Sequence, residues 1–231
     1  MQPDALRTLL RERELPIARS AVREGGAPWR RLTETYDDAM RALAIPALGP
    51  DQALLATGSY GRRELTRHTE LDLLLLTPGD ASNTVHAVLA PLWDAGLLAR
   101  YEVRAADQPM ISRDSIDELI MLLDARLICG ASSVFERFVR ARQDLVERRR
   151  SALHAELRRR QTARVAAEPW QTQEPDVVTS RGGLNAFLAL HWARLADQIA
   201  GGLHAPSLAD PSIPLAAEYE VLSGPKPRST S

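Results

Sequence analysis

The sequence predicts an α+β (mixed α/β) fold: a small sheet with flanking helices, followed by a helical domain. Three observations predict it. Ala53 to Thr57 and Leu71 to Thr77 are short apolar runs, stopped by Gly58 and by Pro78-Gly79, with the length of buried strands. The segments around them carry apolar residues at helical spacing among charges. After Pro109 the spacing reads as helical throughout.

Residues 1–50 are expected to be N-terminal helices, with Leu6, Leu9 and Leu10 at helical spacing. Gly25-Gly26-Ala27-Pro28 is a break, and a second helix is expected over Arg30 to Leu43, ended by Pro46 and Pro50. Residues 51–112 form the expected core. Its two strands enclose a brief helix over Ser59 to Leu65. Ser82 is positioned to cap a further helix that Gly96 terminates, and a third strand follows over Leu98 to Ala105.

Residues 113–200 are expected to form the helical domain. Ser115 and Glu118 make a capping-box pattern ahead of a helix from Leu119 to Cys129, with Gly130 as its stop. A long helix is expected from Ser133 to about Val165. Its clusters Arg148-Arg149-Arg150 and Arg158-Arg159-Arg160 lie beside Glu147 and Glu156 and read as a solvated face. A polar, proline-containing loop over Glu168 to Ser180 and Arg181-Gly182-Gly183 lead to a last helix through Ile199. Residues 201–231 are rich in Pro, Ser and Gly and are expected to be a flexible tail.

The formal net charge of -1 over 231 residues supplies no bulk electrostatic attraction for nucleic acid or an anionic membrane, so neither is an expected partner. The lone Cys129 excludes an intramolecular disulfide and reads as a packed thiol. The N-terminal residues lack the apolar core of a signal peptide, and no run reaches the ~18 apolar residues of a membrane span. A cytoplasmic protein is expected.

The chemistry concentrates between Thr57 and Leu76. Gly58 and Ser59 suit a turn that brings a triphosphate against the backbone, with the Ser hydroxyl and the N–H groups of the helix start as donors. Gly61 and Arg62 belong to the same nucleotide-binding turn. Glu70 and Asp72, two apart at the start of a strand, share a face, as carboxylates that bind Mg²⁺ beside substrate phosphates do. Glu102 on the third strand is the candidate third carboxylate. Arg104 shares its face and is placed to approach phosphate oxygens. Taken residue by residue, a Gly-Ser pair is also an ordinary turn and Glu-x-Asp an ordinary solvated strand edge.

Gly58, Tyr60, Gly61, Arg62, Glu64, Leu65 and Asp72, with the blocks Leu92 to Leu97, Leu122 to Leu127 and Glu174 to Leu184 in that order, resemble the bacterial PII uridylyltransferase family. That family lies within the polymerase-β-like nucleotidyltransferase superfamily. The blocks resemble the N-terminal part only, without the family's HD and ACT domains. The resemblance implies transfer of UMP from UTP to a tyrosine hydroxyl of the PII signalling protein, with Mg²⁺ and release of pyrophosphate. The phosphate and metal contacts do not distinguish UTP from ATP. Ser59 and Arg63 stand where the family has glycine, Glu70 where it has aspartate, and Val178, Asn185 and Ala186 where it has Lys, Arg and Asp. Those departures motivate a second reading, a catalytically weakened remnant with a binding or regulatory role, and a third, transfer to a different acceptor. His68 reads as a loop histidine, His154 and His191 as helix residues without metal partners, and Trp93, Trp170 and Trp192 mainly as core anchors, with Trp170 the one plausible stacking residue.

Overall fold

The computed structural model describes residues 4, 6–8, 27–65, 70–109, 115–167, 176–180 and 182–202. Several expectations fall outside these residues: those on Leu9, Leu10, Gly25, Gly26, His68, Trp170, Arg181 and the tail beyond 202. The chain divides into two compact units, one of Met1–Arg113 with Asp124–Arg142, the other of Asp114–Leu123 with Gln143–Ser231.

In the first unit, α1 (Ala27–Ala44) precedes β1 (Ala53–Ala56), the four-residue helix α2 (Gly58–Gly61) and β2 (Leu71–Leu76). α3 (Ser82–Asp94), β3 (Ala99–Arg104) and β4 (Arg126–Gly130) follow. Ala27 and Pro28 lie inside α1 rather than in a break, since proline is tolerated in a helix's first turn, where its missing N–H has no intrahelical acceptor to lose. α3 begins at Ser82, yet Ser82 is not its cap. The Ser82 N–H and hydroxyl both donate to the Asp80 carboxylate, at 3.1 and 2.7 Å, so the aspartate organises the helix entry. At the other end of α3, the Arg7 guanidinium donates to the Asp94 and Ala95 carbonyls at 2.7 and 3.1 Å, placing a cation where helix carbonyls lack partners.

The sheet order is β3-β2-β1-β4. β2 runs parallel to β3, joined through α3, while β1 runs antiparallel to both β2 and β4. Every residue of β1 is buried, as suits a central strand. Leu71, Leu73 and Leu75 of β2 join Leu54, Val88, Leu89 and Leu92 in the main core. The alternate positions Asp72, Leu74 and Leu76 pair in register with Arg100, Glu102 and Arg104 of β3, so these six share the opposite face.

β4 is a correction. The expected helix from Leu119 to Cys129 ends at Leu123, where α4 (Ile116–Leu123) stops, and Arg126–Gly130 instead pairs with β1. The start of α4 is as expected, with the Glu118 N–H donating to the Ser115 hydroxyl at 3.1 Å. Leu127, Ile128 and Cys129 form an apolar run too short for periodicity to separate helix from strand, and β1, buried along its length, takes it as a second neighbour. Cys129 is buried there, and burial pushes its thiol up to about 11, as befits a packed and unreactive sulfur.

In the second unit, α4 packs against α6 (Leu184–Ala200), and Leu119, Leu122, Leu188, Leu195 and Ile199 are buried. α5 (Ser132–Ala167) is the expected long helix; its residues up to Arg142 belong to the first unit and those from Gln143 to the second. Its arginines make surface ion pairs: Arg159 and Arg160 meet Glu156 at 2.6 and 2.8 Å, and Arg160 reaches Asp117 at 2.7 Å. His154 lies 3.3 Å from Asp197. Ahead of α6, the Asp176 carboxylate accepts from the Val178 N–H at 2.7 Å and the Thr179 hydroxyl at 2.8 Å, fixing the turn. Among the described residues, no helix is long and apolar enough to cross a membrane.

Candidate active site

Asp72 is the second residue of β2, beside the end of β1, and its carbonyl accepts from the Thr57 N–H at 2.9 Å. That bond places the Thr57-to-Gly58 turn directly over the aspartate. Gly58 has φ +56, and a Cβ on it would stand 2.9 Å from Asp72 Oδ2. The left-handed backbone therefore favours glycine, and any side chain there would press on the Asp72 carboxylate. Ser59, half-buried, follows in the first turn of α2.

Gly61 is required for another reason. A Cβ there would lie 2.1 Å from the Asp124 carbonyl and 3.0 Å from that of Ala56, so the close approach faces the protein interior. Arg62 also turns inward. Its guanidinium holds Asp124 at 2.5 Å and Glu64 at 2.8 Å, and its side chain is almost covered. These contacts commit Gly61 and Arg62 to shaping the turn.

The opposing half of this framework comes from the segment Asp124 to Arg126. Arg126 chelates the buried Asp37 of α1 at 2.8 and 3.0 Å, donates to the carbonyls of Tyr60 and Gly61 at 3.2 Å each, and lies 5.6 Å over the Tyr60 ring. Burial and the Asp37 carboxylate push the Tyr60 phenol up, so it stays protonated. Asp37, Asp124 and Arg126 were not singled out in the sequence. Asp124 and Arg126 have one signal, their place in a block resembling the family, which carries no information about a partner sixty residues upstream; Asp37 has none.

Burial pushes Asp72 above the usual carboxylate range; Glu70 and Glu102 add to the rise, and Arg100 and Arg62 oppose it. Asp72 thus feels the other two of the three predicted acids. They do not converge: among the described residues no group of three His, Cys, Asp or Glu side chains has metal-holding geometry. The residue beside Asp72 on β3 is Arg100, while Glu102 stands one pleat farther on, beside Leu74. Glu70 pairs with Arg100 at 2.5 Å, and Glu102 pairs with Arg104, whose side chain is 10% exposed.

The donor set nevertheless suits a hard divalent cation. It is all carboxylate, half-buried at Asp72, and opens under a turn kept free of a side chain at Gly58. Trp93, expected in a core, is half exposed, with its indole N–H donating to the Ala99 carbonyl at 3.2 Å.

Over 173 residues, 70% of this chain, the sequence is 33% identical to proteins of Burkholderia mallei (strain SAVP1), Burkholderia pseudomallei (strain 668) and Burkholderia thailandensis, each described as a bifunctional uridylyltransferase/uridylyl-removing enzyme. The match falls in their N-terminal region and covers 20% of each, so the chain spans about a fifth of the length of these curated relatives. No family model matches the chain.

Proposed function

We propose that this chain, which resembles the N-terminal region of the bacterial PII uridylyltransferases, is a nucleotidyl-transfer module that moves UMP from UTP to a tyrosine hydroxyl of the PII signalling protein. A cytoplasmic location is part of the same reading. The observation that carries it is the seating of Asp72 beneath Gly58, at the junction of β1, α2 and β2, in a chain 33% identical over 173 residues to uridylyltransferases.

In this reading Asp72, Glu70 and Glu102 are the residues that would hold Mg²⁺, and the ion would supply charge neutralisation for the triphosphate and its departing pyrophosphate. Gly58 and Ser59 offer first-turn N–H groups to phosphate oxygens, and Arg104 supports them with fixed positive charge. The acceptor oxygen bonds to the α-phosphorus, its proton passes to water, and the bond to the bridging oxygen of pyrophosphate breaks. Catalysis is chiefly positioning and electrostatics, so a rigid turn matters more than an activated side chain. The Arg62 and Arg126 contacts supply that rigidity.

A second reading, a remnant that binds nucleotide or a partner without transfer, is favoured by the commitment of Glu70 to Arg100 and of Glu102 to Arg104. Incubation with labelled UTP or ATP, Mg²⁺ and purified PII separates the readings. Labelled PII supports uridylyl or adenylyl transfer. With a cell extract added, label on another protein identifies a different acceptor, and absence of label on any protein, also with Glu70→Asp, rejects transfer in favour of the remnant.

A further inference from the structure

We propose that Arg100 is an exchangeable internal counter-cation: it pairs with Glu70 beside Asp72 in the metal-free chain, yields to a divalent cation, and then serves the triphosphate. This inference deepens the reading of the cluster as a metal and nucleotide site and rests on it.

Like charges repel, and beside Glu70, Asp72 and Glu102 the fold supplies two arginines, Arg100 and Arg104, on the sheet face that Asp72 and Glu102 share. They are not equivalent. Arg104 is nearly buried, pairs with Glu102 and also donates to the Val103 carbonyl at 3.0 Å, so it is held on two sides. Arg100 is 74% exposed, and the ion pair it makes is with Glu70, at 2.5 Å. An exposed ion pair contributes little and breaks readily. Arg100 also stands directly beside Asp72 in the parallel register.

A cation arriving at Asp72 and Glu70 therefore displaces Arg100 and leaves Arg104 in place. The released guanidinium remains tethered next to Asp72, and its planar fork suits phosphate oxygens. Glu70 acquires a role in the same exchange. Its side chain, one methylene longer than aspartate, spans to β3 in the free chain and is returned to the cation on loading.

Binding of Mn²⁺ alone, measured by electron paramagnetic resonance, tests the exchange in wild type, Arg100→Gln, Asp72→Asn and the distant control Arg159→Gln. Binding of a non-hydrolysable UTP analogue with Mg²⁺ is measured in parallel, with circular dichroism to establish folding. Loss of the competing guanidinium is expected to tighten Mn²⁺ binding about two- to fivefold in Arg100→Gln. The same variant is expected to bind the analogue roughly tenfold more weakly. A solvated or purely structural arginine would not produce these opposite signs. Unchanged or weaker Mn²⁺ binding in Arg100→Gln, with binding still dependent on Asp72, overturns the exchange alone. Mn²⁺ binding that is absent in wild type or unaffected by Asp72→Asn overturns the metal-site reading and the exchange with it. Equal tightening in Arg159→Gln reduces the effect to net charge and also overturns the exchange.

Discussion

Replacing Arg126 with glutamine removes the cation that joins α1, α2 and β4. The wild-type guanidinium makes two bonds to Asp37 at 2.8 and 3.0 Å and two to the Tyr60 and Gly61 carbonyls at 3.2 Å. Asp37 has a side-chain exposure of 3%, and its remaining cation, Arg41, is 3.9 Å away. Breaking a buried pair by removing one partner costs about 3–5 kcal/mol, chiefly because the surviving charge is stranded. Arg41 offsets part of this and the glutamine amide can retain one carbonyl contact, so about 3 kcal/mol is expected. For a chain of this size that lowers the apparent Tm by roughly 6–12 °C. Differential scanning calorimetry supplies the shift, and a cycle with Asp37→Asn supplies its origin. The double variant should be less destabilised than the sum of the singles, since each single strands what the double removes. A loss below about 0.5 kcal/mol, or strict additivity across the cycle, would refute the reasoning.

Asp72→Asn is expected to reduce nucleotidyl transfer by at least ~10²-fold. Its metal-free Tm should be unchanged or higher, because burial and two neighbouring acids disfavour the charged form in the fold; a lowered Tm would contradict that balance. Gly61→Ala, whose Cβ would meet the Asp124 carbonyl at 2.1 Å, should destabilise by about 3 kcal/mol or more in the same calorimetry. Arg63 adopts φ 62, so Arg63→Gly should stabilise the chain by about 0.5–1 kcal/mol in thermal unfolding. Cys129 should resist alkylation at pH 8 in the native chain and react on unfolding. Because folding raises its pKa from 9.0 to about 11, its contribution is intact below pH 9 and is lost as pH rises toward 11, which a series of melts over that window would record.

The local parts of the fold were legible in the sequence: β1, β2, β3, the brief helix after Gly58 and the long helix α5 are each announced by run length, glycine stops or sustained spacing. β4 was not, because Leu127 to Cys129 suits either period and its strand state is decided by β1, far upstream. The candidate site divides along the same line. Gly58 and Asp72 were readable because a glycine turn and a strand carboxylate are local patterns, and the structure brings them together. That Asp124 stands 2.5 Å from Arg62 is not legible in the sequence, because nothing adjacent to either residue announces the pair. Glu102 and Arg100 were ordered by the parallel register of β2 and β3, which alternation within either strand does not fix.

The antiparallel ladder that pairs residues 53 and 130 also dictates an order of events during folding. β1 and the turn beyond it emerge early in synthesis. Their second lateral neighbour, the acid that anchors Arg62 and the cation that grips Asp37 all arrive with residues 124–130. Such nonlocal closure is slow relative to forming the helices between. The turn after Thr57 is thus among the last parts of its unit to become rigid, and a nascent chain halted before β4 would display the motif without the scaffold that gives it shape.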